Sequence, residues 1–595
     1  MKQEKKKRLL KKALEYHHVG DLSSADDIYL EILKNDKNDF DANHLHATIL
    51  SQNKKYAESI NFFSIAYEYQ TPTCELLNNY AIALRNLKAY TECENMLLQA
   101  IDLDKNFPNT YLNLSNCYLS QSRYKDAINI LEKSIELDLN TQKSHYEIVN
   151  ILYINSLKED DVCNHEKLTK HLEVLENSND KATVAKCALI YYNIGKLDKS
   201  LRLFKISEKM YSESLPTIKT MKNISNKNII RTFIKHEYEQ IRHIDSDDDG
   251  IRNMKITQDF YDSLEKLNLK SPNQYKEDDY AFISSLHKIK YNKPPKAKDN
   301  YINQHLNLDE IEMTYTTSNP EIVVIDDFLT QDFLDDLRIF FRCANIFKYP
   351  YSRGYIGAFL GKGMANRALL EFSTELKQSL KKIFLNYYLS QAWSFKYDAK
   401  REGIGVHADD AKVNVNFWIT DDSANMNYDN GGMIIWKKTP NDNASFEDFN
   451  SIKSIDKIKD EVKDTDFMRI PYRSNRAVIF NSKLYHVTDK MDFRDNYKLF
   501  KNLNTEIIGV SRDSIKSHEN FKDKQSFPFE LLSDPDEKMC KAFDVIKMKS
   551  MYGKEYLGID RSTFLISSNG KVVKEWRSVK VKGHVDEVLS EVEKL

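Results

Sequence analysis

The sequence predicts a multidomain α + β chain: an α-solenoid, then a double-stranded β-helix or jelly-roll barrel, then a short α/β segment. Three observations predict it. Leu22, Tyr56, Tyr90 and Tyr124 recur every 34 residues, the period of a two-helix repeat. Between Cys343 and His486, short β-branched and aromatic runs alternate with turns. Only 16 glycines and 12 prolines occur in 595 residues, which favours long regular elements.

Composition narrows the function classes. The 87 Lys and Arg nearly balance the 89 Asp and Glu, for a net charge of −2. No whole-chain field steers nucleic acid or an anionic membrane toward the protein, and neither is expected as a partner. The basic start Met1–Arg8 leads into no apolar stretch, and no apolar run is long enough to span a bilayer. Seven cysteines (74, 93, 117, 163, 187, 343 and 540) follow no pairing motif. A reduced, cytoplasmic setting is the expectation.

The first domain, 1–215, is read as the repeat array. Ala25, Ser59, Cys93 and Ala127 keep the 34-residue step, as do Ala66, Ala100 and Ser134. A small residue lets two helices cross closely, and the aromatic fills the gap beside it. That combination is the tetratricopeptide signature. Four contiguous repeats are expected over about 6–141, then a degenerate insert. One more repeat follows at about 181–214, with Gly195-Lys196-Leu197 in the turn slot. Stacked repeats form a superhelix whose concave face suits peptides or partner helices.

Residues 216–318 read as a helical linker region. Ser246-Asp247-Asp248-Asp249-Gly250 lacks the alternating ligands and closing Glu of a calcium loop, so it is a solvated turn. Lys293-Pro294-Pro295-Lys296-Ala297-Lys298 is linker-like.

Residues 319–491 carry the first candidate chemistry. Glu321–Leu329 reads as a strand entering a helix over Gln331–Cys343. Strands are expected at Ala392–Tyr397, Val413–Ile419, Gly432–Trp436 and Arg476–Phe480. His407 and Asp409, two apart on an extended segment, point to the same side. His486 follows an apolar strand. Two imidazoles and a carboxylate on one face of a metal form the facial triad of non-haem Fe(II) oxygenases. The segment 321–491 resembles the Fe(II)/2-oxoglutarate dioxygenase superfamily, in its prolyl-hydroxylase-like branch. The resemblance rests on His407-Ala408-Asp409, on Asn430-Gly431-Gly432-Met433-Ile434-Ile435-Trp436, and on Ala477–Ser482 leading to His486. It implies Fe(II) held by His407, Asp409 and His486, with 2-oxoglutarate as co-substrate and C–H hydroxylation as the reaction. It also implies a phenol, Tyr397, near the co-substrate. In that family an Arg about 10–15 residues past the distal His grips the far carboxylate in a planar fork. Here Arg494 comes slightly early, and Lys498 and Lys501 bring charge without the fork. Weak co-substrate binding and low turnover are the expectation.

From Asp492 to Leu595 the sequence resembles a different enzyme, a peroxiredoxin of the bacterioferritin comigratory protein type. The matching motifs include Asp492–Lys498, Ile508-Gly509-Val510-Ser511-Arg512-Asp513, Pro528–Asp534, Met551–Lys554 and Arg561–Ile566. The resemblance implies the C-terminal half of a thioredoxin-like α/β fold, and thioredoxin as a reductant partner. It assigns Arg561 as the active-site Arg that helps hold a thiolate and a peroxide oxygen. His486 stands where that family has its peroxidatic Cys, and Met491 at the usual resolving position. No cysteine lies between Cys343 and Cys540, and Cys540 is expected to be a buried small residue. Phe493-Arg494-Asp495-Asn496-Tyr497 suits both families, so the join reads as a crossover, genomic or chimeric. Each half then lacks a strand at the join, and open edges seek partners. The expected rescue docks strand 505–511 onto the oxygenase sheet.

The leading reading is an Fe(II)/2-oxoglutarate dioxygenase with a repeat domain for partner or substrate binding, impaired by its C-terminus. One alternative is a thiol peroxidase lacking its peroxidatic Cys. The other is a non-catalytic, repeat-based interaction protein.

Overall fold

The computed structural model describes residues 3–156, 162–214, 221, 224, 227–245, 258–286, 293–351, 353–397, 404–425, 431–441, 444–489, 500, 503–525, 529–551, 554–579, 584–592 and 594. The chain divides into two compact units, Met1–Tyr211 and Ser212–Leu595.

The first unit is helices throughout: α1 (Gln3–His18), α2 (Leu22–Asn35), α3 (Phe40–Gln52), α4 (Tyr56–Tyr69), α5 (Cys74–Asn86), α6 (Tyr90–Leu103), α7 (Pro108–Ser120), α8 (Tyr124–Glu136), α9 (Thr141–Ser156), α10 (Val162–Leu175), α11 (Lys181–Asn193) and α12 (Leu197–Glu213). The 34-residue step is visible in the backbone. Gly20, Lys54, Lys88 and Ser122 all adopt positive φ between the two helices of their repeats. A left-handed residue there ends the first helix and aims the second back along it. Ala25, Ser59, Cys93 and Ala127 are fully enclosed where the helices cross. The stretch expected to be a degenerate insert is a further helix pair, α9 and α10. Extra residues between these helices break the period, although the packing unit persists.

Buried histidines make this unit acid-sensitive. His44 on α3 is 8 % exposed. Burial pushes its imidazole down to about 4, with Glu75 opposing only in part. The folded value lies below the unfolded one, so the unfolded chain binds more protons as pH falls through about 6.5. Stability is therefore lost on acidification. At pH 5 the loss from His44 is roughly 2 kcal/mol. Urea melts at pH 7 and pH 5 are expected to differ by at least that amount, since burial also pushes His145 and His171 down, and His44→Gln is expected to narrow the gap. An unchanged gap in the variant would refute the assignment.

In the second unit the 216–318 region is helical and packed. Glu237, on the helix Asn228–Asp245, is fully buried and takes an ion pair from Lys348 Nζ at 2.9 Å. Among its described residues the β-region holds three three-stranded sheets. The first orders β1 (Ile322–Ile325), β8 (Arg476–Asn481) and β5 (Val413–Trp418), all antiparallel. The second orders β7 (Phe467–Ile470), β6 (Met433–Trp436) and β9 (His486–Thr488). The third orders β2 (Tyr349–Pro350), β3 (Tyr355–Phe359) and β4 (Trp393–Tyr397).

Strand β8 is apolar on both faces because both are covered. Ala477 and Ile479 pack with Phe333 and Leu337 of the helix Gln331–Cys343. Val478 and Phe480 pack with Met433, Ile435 and Ile470 of the second sheet. On β5 the same alternation sends Val413, Val415 and Phe417 to the helical side. Asn414 and Asn416 therefore face the space between the sheets. Gly431 has φ +85°, and a Cβ on Gly432 would overlap the Ile470 carbonyl oxygen, so the Gly-Gly turn lets β6 lie against β7.

The C-terminal residues form β10 (Ile508–Ser511), β11 (Glu530–Ser533), β12 (Ile546–Met551), β13 (Lys554–Ile559), β14 (Thr563–Ile566) and β15 (Val572–Trp576). β10 and β11 pair in parallel, with the helix Ile515–Gln525 between them in sequence. The expected docking of strand 505–511 onto the sheets of 319–491 does not occur among the described residues, because β10 pairs with β11. A helix crossover closes this pair within its own segment, which a distant sheet edge cannot match in loop-closure entropy. Among the described residues, no helix is long and apolar enough to cross a membrane.

Candidate metal centre

Two separate strand ends bring the cluster together. His407 and His486 exchange backbone bonds, N–H of 407 to O of 486 at 3.0 Å and the reverse at 2.8 Å. Their rings lie 4.3 Å apart between centroids. Asp409 is anchored by its own N–H, which donates to Ser482 O at 2.9 Å. Ligand atoms of His407, Asp409 and His486 all fall within 4.8 Å of one another. The spacing of H-x-D with a distant His thus becomes one pocket through strand pairing.

Each imidazole is oriented by its other nitrogen. His407 Nδ1 sits 2.8 Å from Gly405 O, and His486 Nδ1 sits 2.9 Å from Leu484 O. A carbonyl only accepts, so Nδ1 carries the proton in both rings and Nε2 keeps its lone pair. The Nε2 atoms lie 3.7 Å (His407) and 3.5 Å (His486) from the Asp409 carboxylate. Burial pushes the His407 imidazole down to about 4, with the His486 ring adding to the effect. For Asp409 burial acts upward, but the neighbouring His486 and His407 rings and the Asn414 amide outweigh it, and the carboxyl is held at about 2. The trio therefore brings two imidazoles and a carboxylate together, a donor set suited to a divalent transition metal.

Sequence reasoning missed the residues that hold the carboxylate. Asn414 Nδ2 donates to Asp409 Oδ2 at 2.5 Å, and Asn450 Nδ2 to Oδ1 at 3.3 Å. Asn414 could have been found from its inward phase on β5. Asn450 reaches in from a loop turn with no local signal. Ser482 Oγ is enclosed beside Asp409 and has no partner among the described residues. Such an orphaned oxygen fits a site built to receive further polar atoms. Tyr397 lies alongside: its hydroxyl bonds Thr488, two residues past His486, and burial pushes the phenol well up. Arg494 and Lys498 lie outside the described residues.

Among the described residues the C-terminal candidates are not gathered into a comparable site. Arg561 is exposed at the start of β14. Cys540 is 5 % exposed, and its thiol is pushed up by burial and by the adjacent Asp534.

Residues 486–575 match the AhpC/TSA family, and residues 72–140 match the tetratricopeptide repeat. The match to the former begins at His486 itself. The C-terminal segment is similar to Peroxiredoxin Bcp of Xanthomonas campestris, 57 % identical over 103 residues, covering 17 % of this chain and 64 % of the relative. It is 40 % identical over 118 residues to a Mycobacterium tuberculosis protein named as a peroxiredoxin, covering 19 % of this chain and 75 % of that one. A solved structure of the Xanthomonas campestris bacterioferritin comigratory protein is 58 % identical, with a TM-score of 0.16, covering 16 % of this chain and 62 % of that one. The chain thus spans slightly less than two thirds of the Xanthomonas relative's length.

Proposed function

Because the chain belongs, through its C-terminal segment, to the peroxiredoxin family, we infer that it is an oxidoreductase in which the family's thiol chemistry has lost its nucleophile and the His407–Asp409–His486 centre is the reactive site. The relatives favour thiol peroxidase, with a thioredoxin-type reductant as partner. That reaction needs a thiolate. Cys540 is enclosed and its thiol is held protonated. Peroxide consumption with dithiothreitol or thioredoxin is expected to stay at the buffer rate and to be unaffected by Cys540→Ser. A fast reaction abolished by that substitution would restore the peroxidase reading.

The single observation behind the metal reading is the convergence of three ligand atoms from two distant segments. The fitting metal is Fe(II), with 2-oxoglutarate as co-substrate. With dioxygen as the oxidant, they would supply the chemistry that hydroxylates an unactivated C–H bond while 2-oxoglutarate is decarboxylated to succinate. The chain's own part is orientation. Gly405 and Leu484 fix the two rings, and Asn414 and Asn450 hold the carboxylate. Tyr397 offers a neutral phenol beside the pocket, and Arg494 and Lys498 are the assigned partners for the far carboxylate. With Fe(II) and labelled 2-oxoglutarate, slow succinate release is expected, and none from His486→Ala. Succinate release at equal rates from both proteins would sink this reading. The repeat array serves as the surface for a protein or peptide partner.

A further inference from the structure

We propose that Arg353 makes the His407–Asp409–His486 pocket selective for a substrate that carries a carboxylate, which its guanidinium grips at the pocket's edge. The proposal rests on the reading of that pocket as the reactive site and adds the class of substrate. Arg353 stands in the turn that joins β2 to β3. Gly354 has φ +83°, its N–H donates to Tyr351 O at 3.2 Å, and Tyr351 N–H donates to Tyr355 O at 2.8 Å, which closes the turn. From there the guanidinium reaches the segment that carries His407. A Cβ on Gly405 would lie 3.3 Å from Arg353 Nη1 and 2.6 Å from Ile455 Cδ1. Glycine at this position therefore leaves the room that the guanidinium needs. Gly405 O in turn holds His407 Nδ1 at 2.8 Å. A single residue, Gly405, thus stands between the guanidinium and a candidate metal ligand.

The sheet beside the turn supplies a wall. Tyr355 pairs with Tyr397 and Gly357 with Phe395, so the three rings share one face of β3 and β4. Tyr351 stacks on Tyr355 at 4.4 Å and 11°. Tyr355 lies 5.5 Å from Phe395 and 5.8 Å from Tyr397. The row of rings runs from the turn to Tyr397, whose hydroxyl bonds Thr488 beside the pocket. Burial pushes the Tyr355 phenol up to about 12, with Tyr351 adding to the effect and Arg353 opposing it. The guanidinium's charge is thus felt in poorly hydrated surroundings, where a charge-assisted pair is stronger than in water. A guanidinium presents parallel N–H donors that match the two oxygens of a carboxylate. Its single charge is cancelled by one carboxylate, whereas a phosphate monoester brings nearly two charges. The co-substrate's far carboxylate has Arg494 and Lys498 as its assigned partners. Arg353, on a partly exposed turn, then serves the substrate. The fitting substrate is an acidic peptide segment, with an apolar neighbour along the rings and its Asp or Glu carboxylate at Arg353.

The test uses the full chain loaded with Co(II) and two short fluorescein-labelled peptides of alanine and proline. One has a central glutamate and the other a glutamine in its place. Fluorescence anisotropy is expected to show the glutamate peptide binding about tenfold or more tighter. Arg353→Ala is expected to erase that preference, and Arg353→Lys to keep part of it, because an ammonium lacks the fork. Affinity for 2-oxoglutarate, read from the visible spectrum of the bound Co(II), is expected to stay at the wild-type value in both variants. Equal binding of the two peptides by the wild type, or a preference that survives Arg353→Ala, would overturn the proposal. Loss of 2-oxoglutarate affinity in Arg353→Ala would make the residue a co-substrate anchor and overturn it as well. Tighter binding of a phosphoserine counterpart would replace the carboxylate by a phosphate, with the same consequence. Failure of Co(II) to bind would remove the metal reading alone, since the glutamate preference, measured on the metal-free chain, still decides the role of Arg353.

Discussion

Asp409→Ala is expected to lower the divalent-metal affinity of the full chain by about 100-fold or more. The wild-type cluster offers two imidazole nitrogens and one carboxylate, all within 4.8 Å of one another. Removing the carboxylate takes away a ligand and the cluster's own negative charge, which compensates a bound dication. His407→Ala and His486→Ala remove a ligand but leave the charge, so their loss should be smaller than that of Asp409→Ala. Asn414→Ala leaves all three ligands and frees one carboxylate oxygen. Loss of such an outer partner is worth roughly 10- to 100-fold. Calorimetric titration with Co(II), and the visible spectrum of the bound ion, would read this order. Wild-type affinity in Asp409→Ala would mean the three groups do not share an ion. Retained affinity in Asn414→Ala would mean the carboxylate needs no positioning.

Glu237→Ala is expected to destabilise the second unit by about 3–5 kcal/mol, the usual cost of breaking one side of a buried ion pair. Glu237 accepts from Lys348 Nζ at 2.9 Å and from Asn345 Nδ2 at 3.0 Å, and Lys348 also donates to Leu286 O at 3.2 Å. The pair has side-chain exposures of 9 % for Lys348 and 0 % for Glu237. Burial already pushes the Lys348 ammonium down, opposed by Glu237. Without the carboxylate, an amine is left in an apolar enclosure with too few acceptors. One turn along, Gln240 Nε2 donates to Arg342 O at 3.1 Å and Ala344 O at 2.5 Å. The helix Asn228–Asp245 is thus fastened to the end of Gln331–Cys343 through polar contacts as well as apolar ones. Glu237→Leu with Lys348→Met replaces both partners by apolar groups of similar size and is expected to be near neutral or stabilising. Denaturant melts of the three proteins decide it. A single variant as stable as the double would show that the pair carries no weight.

The repeat array was legible because its signals are local and recur. Ala66, Ala100 and Ser134 each meet the same helix crossing, and each is fully enclosed as the period requires. The α9–α10 pair was missed because added residues moved it out of phase without altering what it packs against. The helix Gln331–Cys343 and strands β4, β5, β6 and β8 were equally readable, from apolar runs bounded by turns. The 216–318 region was not. Its fastening depends on Glu237 and Lys348, which lie far apart in sequence and look like ordinary surface charges until the fold buries them.

The sequence by itself determined the residue types of the candidate centre, two histidines and an aspartate, and the absence of any cysteine between Cys343 and Cys540. It also determined the solenoid, since a repeat specifies its neighbours through short-range packing. Only the tertiary structure decided that Asn414 and Asn450 hold Asp409, that Cys540 is shut away, and that β10 closes on β11. Those outcomes depend on which distant segments share an enclosed space. Burial and hydrogen bonding act through space, and no pattern of neighbours along the chain encodes the low dielectric and fixed partners that result.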